Sequence, residues 1–216
     1  MRAFAVGQLP KIEFGSGRRA ILPQAIAAYG PRVLLVTGAH SLTRSPFWKE
    51  LTGSLESLGI HHERMIVSGE PCPEAIDEAV NHFGPLGIDV VVGIGGGSVL
   101  DAAKAVAGLM RVGESVMDYL EGMPAPPKPY RGPRTPFIAV PTTAGTGSEA
   151  TKNAVLTRTG VQGFKRSFRD DALVPDLALI DPDFLAACPK DLIAANGMDA
   201  LTLEDFDIQQ LMERSL

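Results

Sequence analysis

Val90-Val91-Val92-Gly93-Ile94-Gly95-Gly96-Gly97-Ser98-Val99-Leu100-Asp101-Ala102-Ala103-Lys104 reads as a buried strand that runs through glycines into a helix. A short β-branched run of this length, with no polar alternation, suits a strand covered on both faces. Three consecutive glycines let a backbone approach a diphosphate closely, and the amides that open the next helix, with its dipole, favour an anion there. Ser98 could cap that helix or donate to phosphate. The spacing matches neither the GxGxxG nor the Walker A pattern. Because glycines also serve plain strand-to-helix turns, this stretch alone leaves a phosphate cradle and a structural turn both open.

Outward from it, β-branched runs alternate with longer amphipathic segments, which predicts an α/β fold with a parallel sheet flanked by helices. Strands are expected at Val33–Thr37, Arg64–Val67, Asp89–Ile94, Phe137–Val140 and Leu177–Ile180. Helices are expected at Arg19–Tyr29, Pro46–Leu58, Pro73–Phe83 and Ser98–Met110, several with proline or serine near the start. Arg2–Phe14 alternates around Gly7 and Pro10 as a short hairpin would, and is expected to add antiparallel strands at an edge. Gly122–Pro136, with six prolines, sustains neither helix nor central strand and reads as a surface loop within the domain.

A second cluster, Pro141-Thr142-Thr143-Ala144-Gly145-Thr146-Gly147-Ser148-Glu149, follows another strand, so two polar glycine-rich loops should emerge at one sheet edge. That is the edge where α/β sheets take ligands. Hydroxyls of Thr142, Thr143, Thr146 and Ser148 could bond phosphate, ribose or a carboxamide.

The chain has 216 residues, enough for one large domain with a sizeable core, and a formal net charge of −5. With no long basic block, the charge footprint of a nucleic-acid partner is missing. No apolar stretch is long enough to span a bilayer and no signal-peptide pattern stands at the start, so a cytoplasmic, reduced protein is expected. Cys72 and Cys188 lie far apart and read as ordinary thiols. His40, His61, His62 and His82 show no metal or triad spacing and default to solvated positions.

Together the two clusters resemble the iron-containing (group III) alcohol dehydrogenase family, whose signatures include GGGS followed by D-x-x-K, and PTTAGTGSE. Agreement continues through Leu173-Val174-Pro175-Asp176, Ile180-Asp181-Pro182 and Asn196-Gly197-Met198-Asp199-Ala200-Leu201-Thr202. A dehydroquinate synthase type of sugar-phosphate lyase shares the general architecture but fits these motifs less well. The resemblance implies a dehydroquinate-synthase-like NAD(P)-binding domain over residues 1–185, with residues 186–216 as the start of a helical metal-binding domain that is otherwise largely absent. It implies reversible hydride transfer between an alcohol and an aldehyde or ketone, a dinucleotide cofactor, and a homo-oligomer as a possible assembly. Position by position, Gly95, Gly96, Gly97, Ser98 and Asp101 resemble the pyrophosphate loop. Thr142, Thr143, Thr146 and Ser148 resemble the second cofactor wall. Lys165 is similar to a lysine near the cofactor ribose, against its plainer reading as part of a solvated basic run with Arg166 and Arg169. Leu179 would line the adenine pocket.

NAD-preferring members of that family often place an aspartate at the end of the first of these strands, where this chain has Gly38. Without a carboxylate there, a 2′-phosphate meets no repulsion, and Ser41, His40 or Arg44 could contact it, so the expectation leans to NADP over NAD. The family uses iron or zinc, held in part by an aspartate and a histidine four residues on. Asp199 matches the first, but Leu203 stands at the second and has no lone pair to offer. The expectation is therefore an incomplete metal site and a chain that binds cofactor but is nearly inactive alone. The alternative is a non-catalytic dinucleotide-binding module with an apolar face left by the helical domain. The ending from Leu203 to Leu216 departs from the family and could form an amphipathic helix through Phe206, Leu211 and Met212, or could fray.

Overall fold

The computed structural model describes residues 7–191 and 193–198. In chain order its elements are β1 (Lys11–Phe14), α1 (Leu22–Ala27), β2 (Arg32–Gly38), α2 (Pro46–Ser57), β3 (His61–Val67), α3 (Pro73–Phe83), β4 (Val90–Gly95), α4 (Gly97–Leu109), β5 (Phe137–Pro141), β6 (Asn153–Arg158), β7 (Phe164–Arg169) and β8 (Leu177–Ile180). Six strands form one sheet in the order β1-β8-β5-β4-β2-β3, and every pair in it is parallel. β6 and β7 form a separate antiparallel hairpin.

Central β4 and β5 are buried at every position, which is why their sequences are unbroken apolar runs. Pleating sends Leu34, Val36 and Val91 to the face covered by α3 and α4. Val33, Leu35, Val90, Val92 and Ile94 go to the opposite face, with Leu22 and Ile26 of α1 and Leu51 and Leu55 of α2. Fully burying each such side chain contributes about 1.5–3 kcal/mol before conformational entropy is charged against it. α2 and α3 start where expected because Pro46 and Pro73 occupy the first turn, where a missing amide costs nothing.

Two expectations are corrected, and one element was not foreseen. Lys11–Phe14 joins the edge of the sheet parallel with β8 (Lys11 with Leu177, Phe14 with Ile180), while the first part of the hairpin expected over Arg2–Phe14 lies outside the described residues. Hydrogen bonds from the Lys11 amide to the Asp176 carbonyl (3.2 Å) and from the Gly15 amide to the Ile180 carbonyl (3.1 Å) fix that register. The helix expected over Arg19–Tyr29 is broken into a 3-10 turn, Arg18–Ile21, and the short α1, because Pro23 has no amide to donate and is tolerated only in a first turn. The β6–β7 hairpin, unforeseen, packs over α4 with Ala154, Leu156 and Phe168 buried at 0%, 0% and 1% exposure. Gly122–Pro136 lacks regular structure, as expected, and is tied down by the Tyr130 hydroxyl donating to the Gly108 carbonyl at 2.6 Å.

Candidate functional site

The register of β4 with β5 decides the site. Gly95 lies opposite Pro141, so the glycine loop and the threonine-rich loop leave the sheet side by side. The Thr142 amide donates to the Gly95 carbonyl at 3.0 Å, joining the loops at their base. Gly96, in extended conformation, then turns the chain into α4, and the first amides of a helix have no intrahelical acceptor. A Cβ built on Gly96 would stand 3.1 Å from Thr143 Oγ1, and one on Gly97 would stand 3.0 Å from Thr146 Cγ2. Any larger residue would fill the space between loop and helix start, so the cradle has the shape that close approach of a diphosphate requires.

Two cavities flank this helix start. The first, about 260 Å³, is lined by the expected Gly38, Ser41, Gly95, Gly96, Thr142 and Thr143, and by the apolar Leu42, Val99, Phe184 and half-buried Cys188. The second, about 310 Å³, is lined by the expected Gly97, Ser98, Asp101, Thr146, Ser148 and Lys165, and by Glu70, Thr151, Asn153 and Thr157. Thus twelve expected residues gather at one edge, split by the N-terminus of α4. Leu179 does not join them: it is fully buried in the core beneath, with Val92, Ile138 and Val140, and lines neither cavity. Asp199 and Leu203 lie outside the described residues. Phe184 and Glu70 had no motif to announce them, although each follows a strand end in sequence.

Charges in the second cavity are already partnered. Asp101 accepts from the Ser148 hydroxyl at 2.5 Å and the Val155 amide at 3.1 Å, and lies 3.6 Å from Lys104 Nζ. Its first task is therefore to hang the threonine-rich loop and β6 from α4. Lys104 is 1% exposed and donates to the Thr151 carbonyl (3.2 Å), the Thr151 hydroxyl (3.1 Å) and the Asn153 carbonyl (2.8 Å). Burial pushes its ammonium down to about 8, against the opposing pull of Asp101 and Glu149. Lys165 is exposed and pairs with Glu70 at 2.8 Å. The Lys165 hydrogen bond, then that of the Thr157 hydroxyl, holds the Glu70 carboxyl below its usual range. An exposed pair of this kind contributes only about 0–1 kcal/mol, so an anionic ligand can displace Glu70 from Lys165 at little cost.

The histidines do not converge: His62 packs edge-on against Trp48, and His82 against Phe83. Among the described residues no group of three or more His, Cys, Asp or Glu could hold a metal ion. They therefore do not furnish the donor set that iron or zinc needs. None of the described helices is long and apolar enough to cross a membrane.

A parallel sheet covered on both faces, with two flexible-backbone loops meeting at a helix N-terminus on its carboxyl edge, defines the α/β class that takes ligands in that crevice. The family model described as iron-containing alcohol dehydrogenase matches residues 10–182, and the chain belongs to that family. It is 34% identical over 200 residues to long-chain-alcohol dehydrogenase 1 of Geobacillus thermodenitrificans, covering 89% of this chain and 48% of that protein. It is 32% identical over 204 residues to the NADPH-dependent butanol dehydrogenase of Clostridium saccharobutylicum, covering 90% of this chain and 49% of that one. The crystal structure of NADH-dependent butanol dehydrogenase A from Thermotoga maritima superposes with a TM-score of 0.83 at 28% identity, over 94% of this chain and 50% of that chain. The chain thus spans about half the length of these relatives.

Proposed function

We propose that this chain is the nucleotide-holding half of an NAD(P)-dependent alcohol dehydrogenase, with residues 1–185 as the cofactor-binding domain and residues 186–216 leading into a helical metal-binding part. The observation that carries this reading is the pairing of Gly95 with Pro141, which sets both polar loops around the N-terminus of α4. The diphosphate would lie on the amides of Gly96, Gly97 and Ser98, where the helix dipole favours negative charge. The adenosine half fits the first cavity, whose walls are largely apolar, with Gly38 and Ser41 at the ribose and Thr142 and Thr143 opposite. The nicotinamide half fits the second, with Thr146 and Ser148 as donors and Lys165 reaching the ribose. The reaction is hydride transfer between an alcohol and the cofactor, which carries the redox chemistry itself. This chain's residues orient the dinucleotide.

NADP is favoured over NAD. A Cβ built on Gly38 meets nothing within 4 Å, so the end of β2 is open where a carboxylate would repel a 2′-phosphate. The relatives are named for both cofactors, NADPH in one and NADH in another. A second reading, a dinucleotide-binding module without turnover, is favoured by Leu203, which cannot coordinate a metal. Under it, Asp199 would offer a single ligand.

Calorimetric titration of the 216-residue chain with NADPH and NADH, beside a turnover assay with a primary alcohol and divalent iron or zinc, tests both readings. Saturable NADPH binding without metal-dependent turnover is the expected result. Robust turnover would remove the second reading, and no binding of either dinucleotide would remove both.

A further inference from the structure

Arg64 is held in place by the fold without a carboxylate partner among the described residues. It sits on β3, in register with Leu35 of β2, on the face covered by α2. Its guanidinium lies over the Trp48 ring, 5.2 Å from the centroid. Nε donates to the Thr37 hydroxyl at 2.9 Å and Nη2 to the Gly38 carbonyl at 3.1 Å. Arg18, Arg19, Arg134, Arg158 and Arg169 each pair with a carboxylate, whereas among the described residues no ion pair includes Arg64. An immobilised positive charge with no ion-pair partner among the described residues therefore stands at the carboxyl end of β2, against Gly38, one of the residues that line the first cavity.

We propose that Arg64 is the specificity-determining residue for a 2′-phosphorylated adenosine cofactor, supplying the fixed positive charge against which the 2′-phosphate docks at Gly38. This rests on the dinucleotide reading above and deepens it. A guanidinium has five donors in a planar fork, and Arg64 spends those of Nε and Nη2 on β2 and its following turn, leaving Nη1 for a ligand. Stacking on an indole holds the fork in place, so little side-chain entropy is lost when phosphate arrives. Gly38 completes the arrangement: with no side chain there, nothing stands between the phosphate and the fork, whereas a carboxylate would neutralise it. His40 and Arg44 are exposed on the following loop, with no comparable side-chain anchoring, and are the weaker candidates. Sequence spacing could not show this, since Arg64 reaches the Gly38 end of β2 only through the parallel pairing of neighbouring strands.

The test is a ratio. Titrate wild type, Arg64→Met and Arg64→Lys with two ligand pairs, 2′,5′-ADP against 5′-ADP and NADPH against NADH, in low and moderate salt. Wild type is expected to favour the 2′-phosphorylated member of each pair by ~10-fold or more, and more so in low salt. Arg64→Met should bring that preference to within about twofold while leaving NADH affinity unchanged. Arg64→Lys keeps the charge but not the fork, and should lower the preference by roughly threefold. Because both members of a pair use the same folded protein, loss of stability alone moves both affinities and leaves the ratio intact. Should Arg64→Met fail to fold, the lysine variant decides. Wild type binding NADPH and NADH equally, or an unchanged preference in either variant, overturns the role of Arg64 and leaves the dinucleotide reading standing. Wild type binding none of the four ligands overturns both.

Discussion

Gly95→Ala should destabilise the domain through a steric conflict that the structure defines atom by atom. A Cβ at this position would lie 2.6 Å from Val99 Cβ, 2.6 Å from Val99 Cγ2 and 2.9 Å from Val99 Cγ1. Gly95 is not at positive φ, so the cost comes from crowding and not from backbone strain. Val99 sits in the first turn of α4 at 7% exposure, and a β-branched side chain in a helix has one strongly preferred rotamer. It cannot swing aside, so α4 or β4 must shift. Overpacking of this kind costs about 1–3 kcal/mol. For a domain of this size each kcal/mol lowers Tm by roughly 2–4 °C. Urea unfolding followed by the fluorescence of Trp48, the single tryptophan, reads the change. Val99→Gly removes all three contacts at its own cost of about 2–3 kcal/mol in burial and helix propensity. The double variant should then be less destabilised than the sum of the singles by about 1 kcal/mol or more. Gly53→Ala is the opposite control: its Cβ meets nothing within 4 Å on exposed α2, so stability should rise by about 0.5–1 kcal/mol. Wild-type stability in Gly95→Ala, or strict additivity in the cycle, would refute the packing argument.

Lys104 and Asp176 both make stability rise with pH, in separate ranges. Folding lowers the Lys104 ammonium from 10.5 to about 8, so the unfolded chain holds that proton more tightly. Stability should therefore be flat below pH 8 on this account and rise towards pH 10.5, by about 3 kcal/mol in total, a rise that Lys104→Met abolishes in urea titrations across that range. Asp176 accepts from Arg134 Nη1 at 2.6 Å, Arg134 Nη2 at 2.8 Å and the Phe137 amide at 2.8 Å. Burial alone would raise its carboxyl, but those hydrogen bonds outweigh it and hold the group below its usual value. Its contribution is thus present in full above the ordinary carboxylate range and is lost as the pH falls through the lowered value. Asp176→Asn should cost about 1.5–3 kcal/mol at neutral pH and flatten the acid limb of the stability curve.

The strands of the central sheet were legible because double burial writes itself as unbroken apolar runs, as in Val90–Val92 and Phe137–Val140. The two polar loops were legible because glycine and threonine in such density have few structural uses. What the sequence hid depends on partners distant in the chain. The parallel pairing of Lys11–Phe14 was hidden because β1 finds its neighbour in β8, at the far end of the domain. The β6–β7 hairpin was obscured by a polar, arginine-rich strand, although the buried Ala154 and Leu156 stand two residues apart and Gly160 and Gly163 mark the turn. Leu179 sits on a buried strand, where pattern alone cannot separate a residue that touches a ligand from one that supports the floor below it. Arg64 and Glu70 took their places through strand register and loop closure, which no local motif encodes.

The central claim is that a dinucleotide's diphosphate lies across the N-terminus of α4, between the two cavities. A crystal structure of the chain soaked with NADPH tests it most directly. The account predicts diphosphate oxygens within hydrogen-bond distance of the Gly97 and Ser98 amides, with the adenosine beside Gly38 and the nicotinamide beside Lys165. A dinucleotide seated elsewhere, with those amides turned to solvent, would contradict it.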